Sequence, residues 1–301
     1  MLEEMAQILD GKWVRDQILA ECKPRVQALA ESERPPGLVV VLVGNDPASE
    51  IYVRNKIKAC EELGIRSEKL APPESVTTAE LLAIIEVLNA RDDVDGILVQ
   101  MPLPRQIDSR RVLEAVSPDK DVDGFHPVNV GKLVANIPAA RSCTPAGIME
   151  LLRRYRIPIT GRHATVVGRS DIVGKPMALM LLHESATVTI CHSKTPDLAA
   201  ECRRADILVA AIGRPALIRS NYIKPGATVI DVGMNRLTDE EAKAIFGDAP
   251  SRKLIGDVHP LEVAQTAGAY TPVPGGVGPL TIAMLMVNTI RSAESRIQCC
   301  A

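Results

Sequence analysis

The sequence predicts an α/β fold in which an N-terminal α/β domain is followed by a C-terminal Rossmann-type domain with a parallel sheet. Three observations support this prediction. The chain has 301 residues, roughly the length of two ordinary domains. Short apolar runs rich in β-branched residues alternate with helical stretches along it. In the second half, a turn containing glycine joins one of these runs to a helix.

Seven apolar runs are predicted to be strands. Because they are unbroken, they are typical of strands that are covered on both faces in a parallel sheet. The predicted strands cover residues 38–43, 96–99, 164–167, 187–191, 207–212, 228–232 and 254–255. Helices are predicted over residues 12–31, 47–63, 77–89, 146–156, 175–182, 198–203 and 280–297. This alternation of strands and helices indicates βαβ units.

The domain boundary is predicted at residue 143. Thr144 and Pro145 follow it, and they suit the N-cap and the first position of a helix. The first domain is then 1–143 and the second 144–279, which ends in a loop rich in proline and glycine. The apolar segment 280–301 is predicted to be a helix that returns to the first domain, which leaves a cleft between the two domains.

The composition excludes several classes of function. With 35 basic and 37 acidic residues, the net charge of −2 is too balanced for a surface that binds nucleic acid or an anionic membrane. Aromatic residues make up 2%, too few for base stacking. Seven cysteines form no C-x-x-C pair, so neither a metal site nor a disulfide framework is indicated. We expect a cytoplasmic protein, because the acidic start and the apolar runs suit neither a targeting peptide nor a membrane span.

A dinucleotide site is predicted at the glycine turn of the second domain. Gly168, Ser170 and Gly174 form the pattern G-x-S-x-x-x-G between a strand and a helix, where backbone N–H groups face an anion. The pattern departs from G-x-G-x-x-G, so an ordinary βα turn is the alternative. No carboxylate stands about 20 residues further on, where NAD enzymes bind ribose. Arg169 and Ser193 instead suit a 2′-phosphate, which favours NADP.

A candidate base lies in the predicted helix 47–63. Tyr52 and Lys56 are four residues apart and therefore share one face of that helix. Val53, Ile57 and Cys60 form an adjoining apolar stripe, so Lys56 is expected at the edge of the core, where loss of water favours a neutral amine. Because this spacing arises often by chance, a surface lysine beside a tyrosine is the alternative.

Two polar positions add to this pattern. Gln100 directly follows a predicted apolar strand, where α/β proteins place contacts with ligands. Asp123 lies in a short acidic loop and has the chemistry to accept hydrogen bonds from an amino-substituted heterocycle. The alternative for this loop is a simple Asp-Gly turn.

Several motifs together resemble a known family. They occur in the order Tyr52-x-x-x-Lys56, Val99-Gln100-Met-Pro102-Leu-Pro, Lys120-Asp-Val-Asp123-Gly, Val167-Gly-Arg-Ser170 and Pro272-Val-Pro-Gly-Gly-Val-Gly-Pro279. With these motifs the chain resembles the bifunctional methylenetetrahydrofolate dehydrogenase/cyclohydrolase family over essentially its whole length. The last of them is the most specific.

The resemblance implies two reactions and a set of site residues. Hydride passes from methylenetetrahydrofolate to NADP, and the methenyl cation is then hydrolysed to 10-formyltetrahydrofolate. The catalytic residues implied are Lys56 as general base, Gln100, which holds it, and Asp123, which binds the pterin. The implied contacts with substrate are Tyr52, Pro102, Gly275 and Gly276.

The resemblance also implies how the cofactor is held and how the chain assembles. The cofactor-binding residues implied are Gly168, Arg169, Ser170, Ser193 and Met234. Met234 replaces the usual Ile or Val but contributes only its backbone, whereas Asp171 brings a negative charge close to the expected phosphate. A homodimer through the Rossmann domain is implied, with folate as the substrate and no metal.

Three other interpretations are open at this point. A short-chain dehydrogenase also uses Y-x-x-x-K, but there the pair follows the glycine turn, whereas here it precedes Gly168 by over a hundred residues. An enzyme like shikimate dehydrogenase has a similar order of domains but gives no reason for Gln100 or for the Pro-Gly-Gly-Val-Gly-Pro loop. A non-catalytic dinucleotide-binding module gives no reason for Lys56, Gln100 and Asp123.

Overall fold

A computed structural model describes residues 6–247 and 253–300 of the chain. These residues form strands β1 to β11, in chain order Gln7–Ile8, Gly37–Val41, Arg66–Leu70, Gly96–Val99, His163–Val167, Thr187–Cys191, Ile207–Ala210, Thr228–Asp231, Asn235–Arg236, Leu254–Ile255 and Ala269–Tyr270. They also form helices α1 to α11, in chain order Gly11–Ser32, Pro47–Leu63, Thr78–Ala90, Ser109–Ala115, Pro127–Val134, Cys143–Arg154, Gly174–His183, Leu198–Arg203, Asp239–Phe246, Pro260–Thr266 and Val277–Cys300. None of the described helices has the length and apolar character needed to cross a membrane.

The chain divides into two compact units. The three-stranded unit contains Asp16–Cys143 and the chain from Ile282 onward, and the six-stranded unit contains Thr144–Thr281 and the chain up to Arg15. This division differs from the predicted boundaries at the N-terminus. Strand β1 pairs with β11, so Gln7 and Ile8 join the sheet of the six-stranded unit instead of the domain predicted for 1–143.

The three-stranded unit contains a parallel sheet of order β3-β2-β4. All residues of β2 and β4 are buried, as expected for strands covered on both faces. Val39, Val41 and Ile97 from this sheet pack in one core cluster with Leu81 and Ile85 of α3. This core fixes the carboxyl ends of β2 and β4, from which the candidate site of this unit extends.

The six-stranded unit contains a parallel sheet of order β1-β11-β8-β7-β5-β6. From β5 the chain passes to β6 on one side and then to β7 on the other, so the strand order reverses beside β5. Ligands of open parallel sheets bind at such a reversal, outside the carboxyl ends of the strands. The predicted α/β class with a parallel sheet in the second half of the chain is confirmed.

One capping prediction is wrong. Helix α6 begins at Cys143, so Thr144 lies inside the helix and is not its N-cap. The Thr144 hydroxyl instead forms a hydrogen bond of 2.9 Å with the hydroxyl of Thr281. This partner lies 137 residues away along the chain, so the local sequence pattern around residue 144 contained no sign of it.

Candidate active site

Lys56 is held at the edge of the core on helix α2. The helix begins with Pro47 after the N-cap Asp46, whose carboxylate accepts a hydrogen bond from the Ser49 N–H. Val53 and Cys60 are fully buried on one face of α2. Lys56 lies beside this face, and only 8% of its surface is exposed. Tyr52, one turn earlier, keeps 38% of its surface exposed. The helix thus presents a shielded amine beside an accessible ring.

Gln100 is the hydrogen-bond partner of Lys56. Its backbone N–H donates to the Val41 carbonyl at 2.9 Å, which continues the pairing of β4 with β2 by one residue. Its side-chain Nε2 donates to the Met101 carbonyl at 2.6 Å. With Nε2 engaged, Oε1 faces Lys56 and accepts a hydrogen bond from Nζ at 3.0 Å. The sheet therefore positions Gln100, and Gln100 orients the lysine.

Asp123 lies in a loop that is shaped by the buried carboxylate of Asp121. Asp121 accepts hydrogen bonds from the N–H groups of Gly124, Phe125 and His126 at 3.1, 3.2 and 2.8 Å. Burial raises the pKa of Asp123 to about 6, the positive charge of Lys56 opposes that rise, and the negative charge of Asp121 adds to it. The carboxyl group of Asp123 is therefore electrostatically coupled to the lysine.

Asn288 fixes the same loop from helix α11, and it was not predicted from the sequence. Its Nδ2 donates to the carbonyls of Val122 and Arg141 at 2.8 and 2.9 Å. The two segments approach closely there, because a Cβ on Gly124 would lie 2.5 Å from the carbonyl carbon of Arg141. The sequence does contain a signal, since an asparagine inside an apolar helix is expected to have a buried partner.

The glycine turn of the six-stranded unit lacks room for side chains. Gly168 follows β5 with φ at +127°, and a Cβ there would lie 2.2 Å from the Ala211 carbonyl oxygen after β7. A Cβ on Gly174, at the start of α7, would lie 2.3 Å from the Gly168 oxygen. The Ser170 hydroxyl accepts hydrogen bonds from the Val173 and Gly174 N–H groups, both at 3.2 Å. This close packing of strand, turn and helix fits a dinucleotide phosphate.

The residues expected to read a 2′-phosphate lie at the same edge of the sheet. Arg169 follows β5 and Ser193 follows β6, and both are exposed. Asp171, whose negative charge was expected close to the phosphate, forms an ion pair with Lys175 one helical turn away. Its negative charge is therefore largely compensated locally and opposes an anion near Arg169 only weakly.

The loop that contains Gly275 and Gly276 lies in the six-stranded unit. Gly275 has φ at +107°. Its carbonyl accepts a hydrogen bond of 3.0 Å from the Gly11 N–H at the start of α1. A Cβ on Gly11 would lie only 1.7 Å from the Gly276 oxygen, so residue 11 must be glycine for this loop to have its shape. Gly11 was not predicted from the sequence, because its partner is distant along the chain.

Comparison with known proteins gives two family matches. The catalytic-domain model of tetrahydrofolate dehydrogenase/cyclohydrolase matches residues 9–123, and the NAD(P)-binding-domain model of the same enzymes matches residues 142–297. The chain belongs to the tetrahydrofolate dehydrogenase/cyclohydrolase family. Within this family, the chain is 66% identical to the bifunctional protein FolD of Solibacter usitatus, over 98% of this chain and 100% of that protein.

Two solved structures support the same assignment to the tetrahydrofolate dehydrogenase/cyclohydrolases. The bifunctional FolD enzyme of Campylobacter jejuni superposes with a TM-score of 0.91 at 46% identity, covering 97% of this chain and 99% of that one. The Trypanosoma brucei dehydrogenase-cyclohydrolase, solved with NADP and an inhibitor, superposes with a TM-score of 0.90 at 39% identity, covering 98% and 99%. The predicted family is confirmed, and the three other interpretations are set aside.

For this dehydrogenase/cyclohydrolase, the structure groups the predicted site residues in two sets. In the three-stranded unit, Lys56 bonds to Gln100 and interacts with Asp123, while Tyr52 and Pro102 are neighbours of these residues along the chain. In the six-stranded unit lie the remaining predicted residues, Gly168, Arg169, Ser170, Ser193, Met234, Gly275 and Gly276. No cluster of three or more metal-ligating side chains of His, Cys, Asp or Glu type occurs among the described residues.

Proposed function

We propose that this enzyme oxidises 5,10-methylenetetrahydrofolate to 5,10-methenyltetrahydrofolate with NADP and hydrolyses the product to 10-formyltetrahydrofolate. The observation that carries the proposal is the 3.0 Å hydrogen bond between the buried Lys56 and Gln100, in a chain that belongs to a family of dehydrogenase/cyclohydrolases. A lysine oriented by an amide and shielded from water is suited to move a proton at one defined place.

The oxidation needs no protein base. The carbon that loses hydride lies between two nitrogens, whose lone pairs stabilise the cation that is left. NADP, when bound, accepts the hydride. The protein therefore has only to hold cofactor and substrate in register. We assign cofactor binding to the six-stranded unit, through Gly168, Arg169, Ser170, Ser193 and the backbone of Met234.

The hydrolysis does need proton transfer. As the water oxygen bonds to the methenyl carbon, the Lys56 amine accepts a proton from the water. The bond from that carbon to N5 then breaks, N5 takes a proton, and the formyl group stays on N10, with one proton released overall. Gln100 keeps Nζ in place through its Oε1, so that the amine remains aimed at one point.

Substrate binding is assigned to residues near the lysine and to the Pro-Gly loop. The exposed ring of Tyr52 packs on the aminobenzoate ring of folate, and the Asp123 carboxylate accepts hydrogen bonds from the pterin. Pro102 completes the wall beside Gln100. Gly275 and Gly276 allow close approach of substrate to backbone. A Cβ on Gly276 would lie 2.6 Å from the Pro272 carbonyl oxygen, whereas one on Gly275 would meet nothing closer than 3.7 Å.

NADP is proposed over NAD because a positively charged side chain lies where the 2′-phosphate is expected. Arg169 and Ser193 lie exposed after β5 and β6, the strands that flank the adenosine side of the glycine turn. A guanidinium there pairs with a 2′-phosphate, which NAD lacks. The related Trypanosoma brucei enzyme was solved with NADP, which is consistent with this choice.

Assembly as a homodimer through the six-stranded unit is also proposed. Strand β6 is the last strand of its sheet, so one of its edges has no neighbouring strand among the described residues. Ile190 in β6 is 43% exposed and Leu182 in α7 is 54% exposed. A second copy would cover both the strand edge and this apolar surface.

We propose the cytoplasm as the compartment of this protein. Five described cysteines are free and buried, which fits a reducing compartment; they are Cys22, Cys60, Cys143, Cys191 and Cys202.

The function is tested with purified protein and two substrates. Methylenetetrahydrofolate with NADP should yield NADPH and 10-formyltetrahydrofolate, with much slower turnover when NAD replaces NADP. Methenyltetrahydrofolate without any nucleotide should be hydrolysed faster than it is by buffer. If neither reaction exceeds the buffer rate, the proposal is wrong. Hydrolysis without oxidation would contradict the proposed dehydrogenase activity and support only the cyclohydrolase activity.

A further inference from the structure

A fully buried carboxylate, Asp257, joins two loops at the carboxyl edge of the six-stranded sheet. Its Oδ2 accepts hydrogen bonds from the N–H groups of Ile212 and Gly213 at 2.6 and 2.9 Å. Its Oδ1 accepts hydrogen bonds from the Arg214 N–H at 2.9 Å and from Asn235 Nδ2 at 3.0 Å. Three consecutive N–H groups after β7 and one side chain after β8 thus converge on a single side chain.

A second buried carboxylate, Asp231 at the end of β8, fixes the first. It accepts hydrogen bonds from the N–H groups of Asp257, Val258 and Gly233 at 2.8, 3.0 and 3.0 Å. Its own N–H donates to the Thr271 hydroxyl at 2.8 Å, at the start of the Pro-Gly loop. The two aspartates therefore link the ends of β7, β8 and β11 by side-chain hydrogen bonds.

Two glycines make room for these carboxylates. A Cβ on Gly256 would lie 1.8 Å from Asp231 Oδ2, and a Cβ on Gly233 would lie 2.3 Å from Asp257 Oδ1. The carboxylates thus occupy the space beside the backbone that a side chain would otherwise take. Burial of such groups is unfavourable unless they are hydrogen-bonded, and apolar side chains would hold the loops at a lower cost in free energy. The geometry that the two side chains impose on the loops therefore explains their presence.

The position of the network in the sheet indicates which part of the cofactor it serves. The glycine turn after β5 lies at the reversal of strand order, where the pyrophosphate of a dinucleotide binds. Arg169 and Ser193 lie toward β6, on the proposed side of the 2′-phosphate. The loops held by Asp231 and Asp257 lie on the other side of the turn, after β7, β8 and β11, so that they face the nicotinamide half.

We propose that Asp257 is a positioning residue that fixes the loops beneath the nicotinamide half of the dinucleotide, with Asp231 holding Asp257 in place. The inference rests on the proposed function and deepens it. The two carboxylates need not touch the cofactor, since they act through the backbone of residues 212–214 and through Asn235. The loops that they hold are consequently ready for the ring before it binds.

The test compares Asp257→Asn with Asp206→Asn. The amide has one acceptor atom where the carboxylate has two, so two of the four donors would face an NH₂ group. Asp206 is the matched control, because it lies in the same unit, accepts a backbone N–H from His163 at 3.0 Å and precedes β7 at the opposite edge of the sheet. Each variant is measured by calorimetric binding of NADP and of NAD, by hydrogen exchange and by hydrolysis of methenyltetrahydrofolate without nucleotide.

We expect Asp257→Asn to weaken NADP binding by about tenfold or more, the scale of losing one or two charge-assisted hydrogen bonds. Amide exchange should accelerate at residues 212–214, hydrolysis should stay within about twofold of wild type, and the preference for NADP over NAD should not change. Asp206→Asn should leave all four readouts unchanged. Unchanged NADP binding, with or without faster exchange, or an equal loss of hydrolysis, would overturn the inference.

Asn235→Ala provides a second test if Asp257→Asn does not fold. It removes one donor from Asp257 and leaves the charge satisfied by three N–H groups. It should weaken NADP binding by a smaller factor and accelerate exchange at Arg214; unaltered binding and exchange would count against the inference. Because binding and exchange are measured without turnover, both results hold even if wild type produces no NADPH, in which case only the proposed function fails.

Discussion

The two candidate sites are built in opposite ways. In the three-stranded unit the site consists of side chains, with Lys56 bonded to Gln100 and coupled to Asp123. In the six-stranded unit it consists of backbone, and its shape at Gly168 and Gly174 depends on the absence of side chains. The first site should therefore fail when a functional group is removed, whereas the second should fail when atoms are added. Substitutions in each unit should therefore separate the two activities.

The largest separation is expected from Lys56→Met, which removes the amine but keeps an apolar chain of similar length. Cyclohydrolase activity should fall by a factor on the order of 10²–10⁴, the usual contribution of a general base. Binding of folate and the dehydrogenase rate should fall far less, because hydride loss needs no base. Hydrolysis of methenyltetrahydrofolate and formation of NADPH are measured separately on the same preparation.

Lys58→Met is the control for that change. Lys58 lies on the same helix, but its side chain is 71% exposed and pairs with Glu62, so both activities should stay at wild-type values. Hydrolysis by Lys56→Met at a rate close to wild type would remove the lysine from its proposed role.

The next largest effect is expected from Gly168→Ala, which adds one carbon to the backbone-built site. The new Cβ would lie 2.2 Å from the Ala211 oxygen, at a φ of +127° that favours glycine. The KM for NADP should rise by about tenfold or more because the turn must shift, while hydrolysis without nucleotide should persist. Gly161→Ala also changes a glycine of positive φ, +71°, but nothing lies within 4 Å of the new Cβ; it should cost stability and leave the KM for NADP unaltered.

A third change, Arg169→Ala, should affect the choice between nucleotides. The KM for NADP should rise about tenfold and the KM for NAD by much less, since only NADP has the phosphate that the guanidinium pairs with. Arg162→Ala, just before the other end of β5, should alter neither value. If Arg169→Ala raises both KM values equally, then Arg169 does not read the phosphate.

The smallest effect is expected from pH, through Asp123. Its pKa is raised to about 6 by burial, so the group is a carboxylate above pH 6 and gains a proton below it. Because the carboxylate accepts hydrogen bonds from the pterin in our proposal, the KM for folate should rise severalfold between pH 7 and pH 5. In Asp123→Asn the KM should be higher at all pH values and lack this inflection. A wild-type profile that is flat over this range contradicts the assignment.

Local sequence patterns were sufficient to predict much of the fold. The helix predicted over 47–63 is observed as Pro47–Leu63, because it has a strong N-cap, a proline at its first position and Gly64 at its end. Strand β3, Arg66–Leu70, was missed because its residues are mostly polar and it lies at the edge of its sheet. The two-residue strands β1 and β11 are too short for any periodicity, and they form only because each finds a partner in the sheet.

Residues of the candidate site were predictable where a reactive or polar side chain stands out from the pattern of its own helix or strand. Lys56 was predicted because it lies beside the apolar stripe of an amphipathic helix, and Gln100 because it is a polar residue after an apolar strand. In the structure, Lys56 Nζ and Gln100 Oε1 are 3.0 Å apart. Asn288 and Asp257 were not chosen, because what distinguishes them is their partners. Those of Asn288 lie 166 and 147 residues away, and those of Asp257 lie up to 45 residues away.

The hydrogen bonds of Asn288 can form only late in synthesis, because this residue leaves the ribosome near the end of the chain. Lys56, Gln100 and Asp123 are synthesised early, but the amide that secures the loop of Asp123 emerges more than 160 residues later. The nascent three-stranded unit must therefore wait, incompletely closed, through synthesis of nearly the whole six-stranded unit. A chain that ends before residue 288 would contain every catalytic group that we propose and should still lack hydrolase activity.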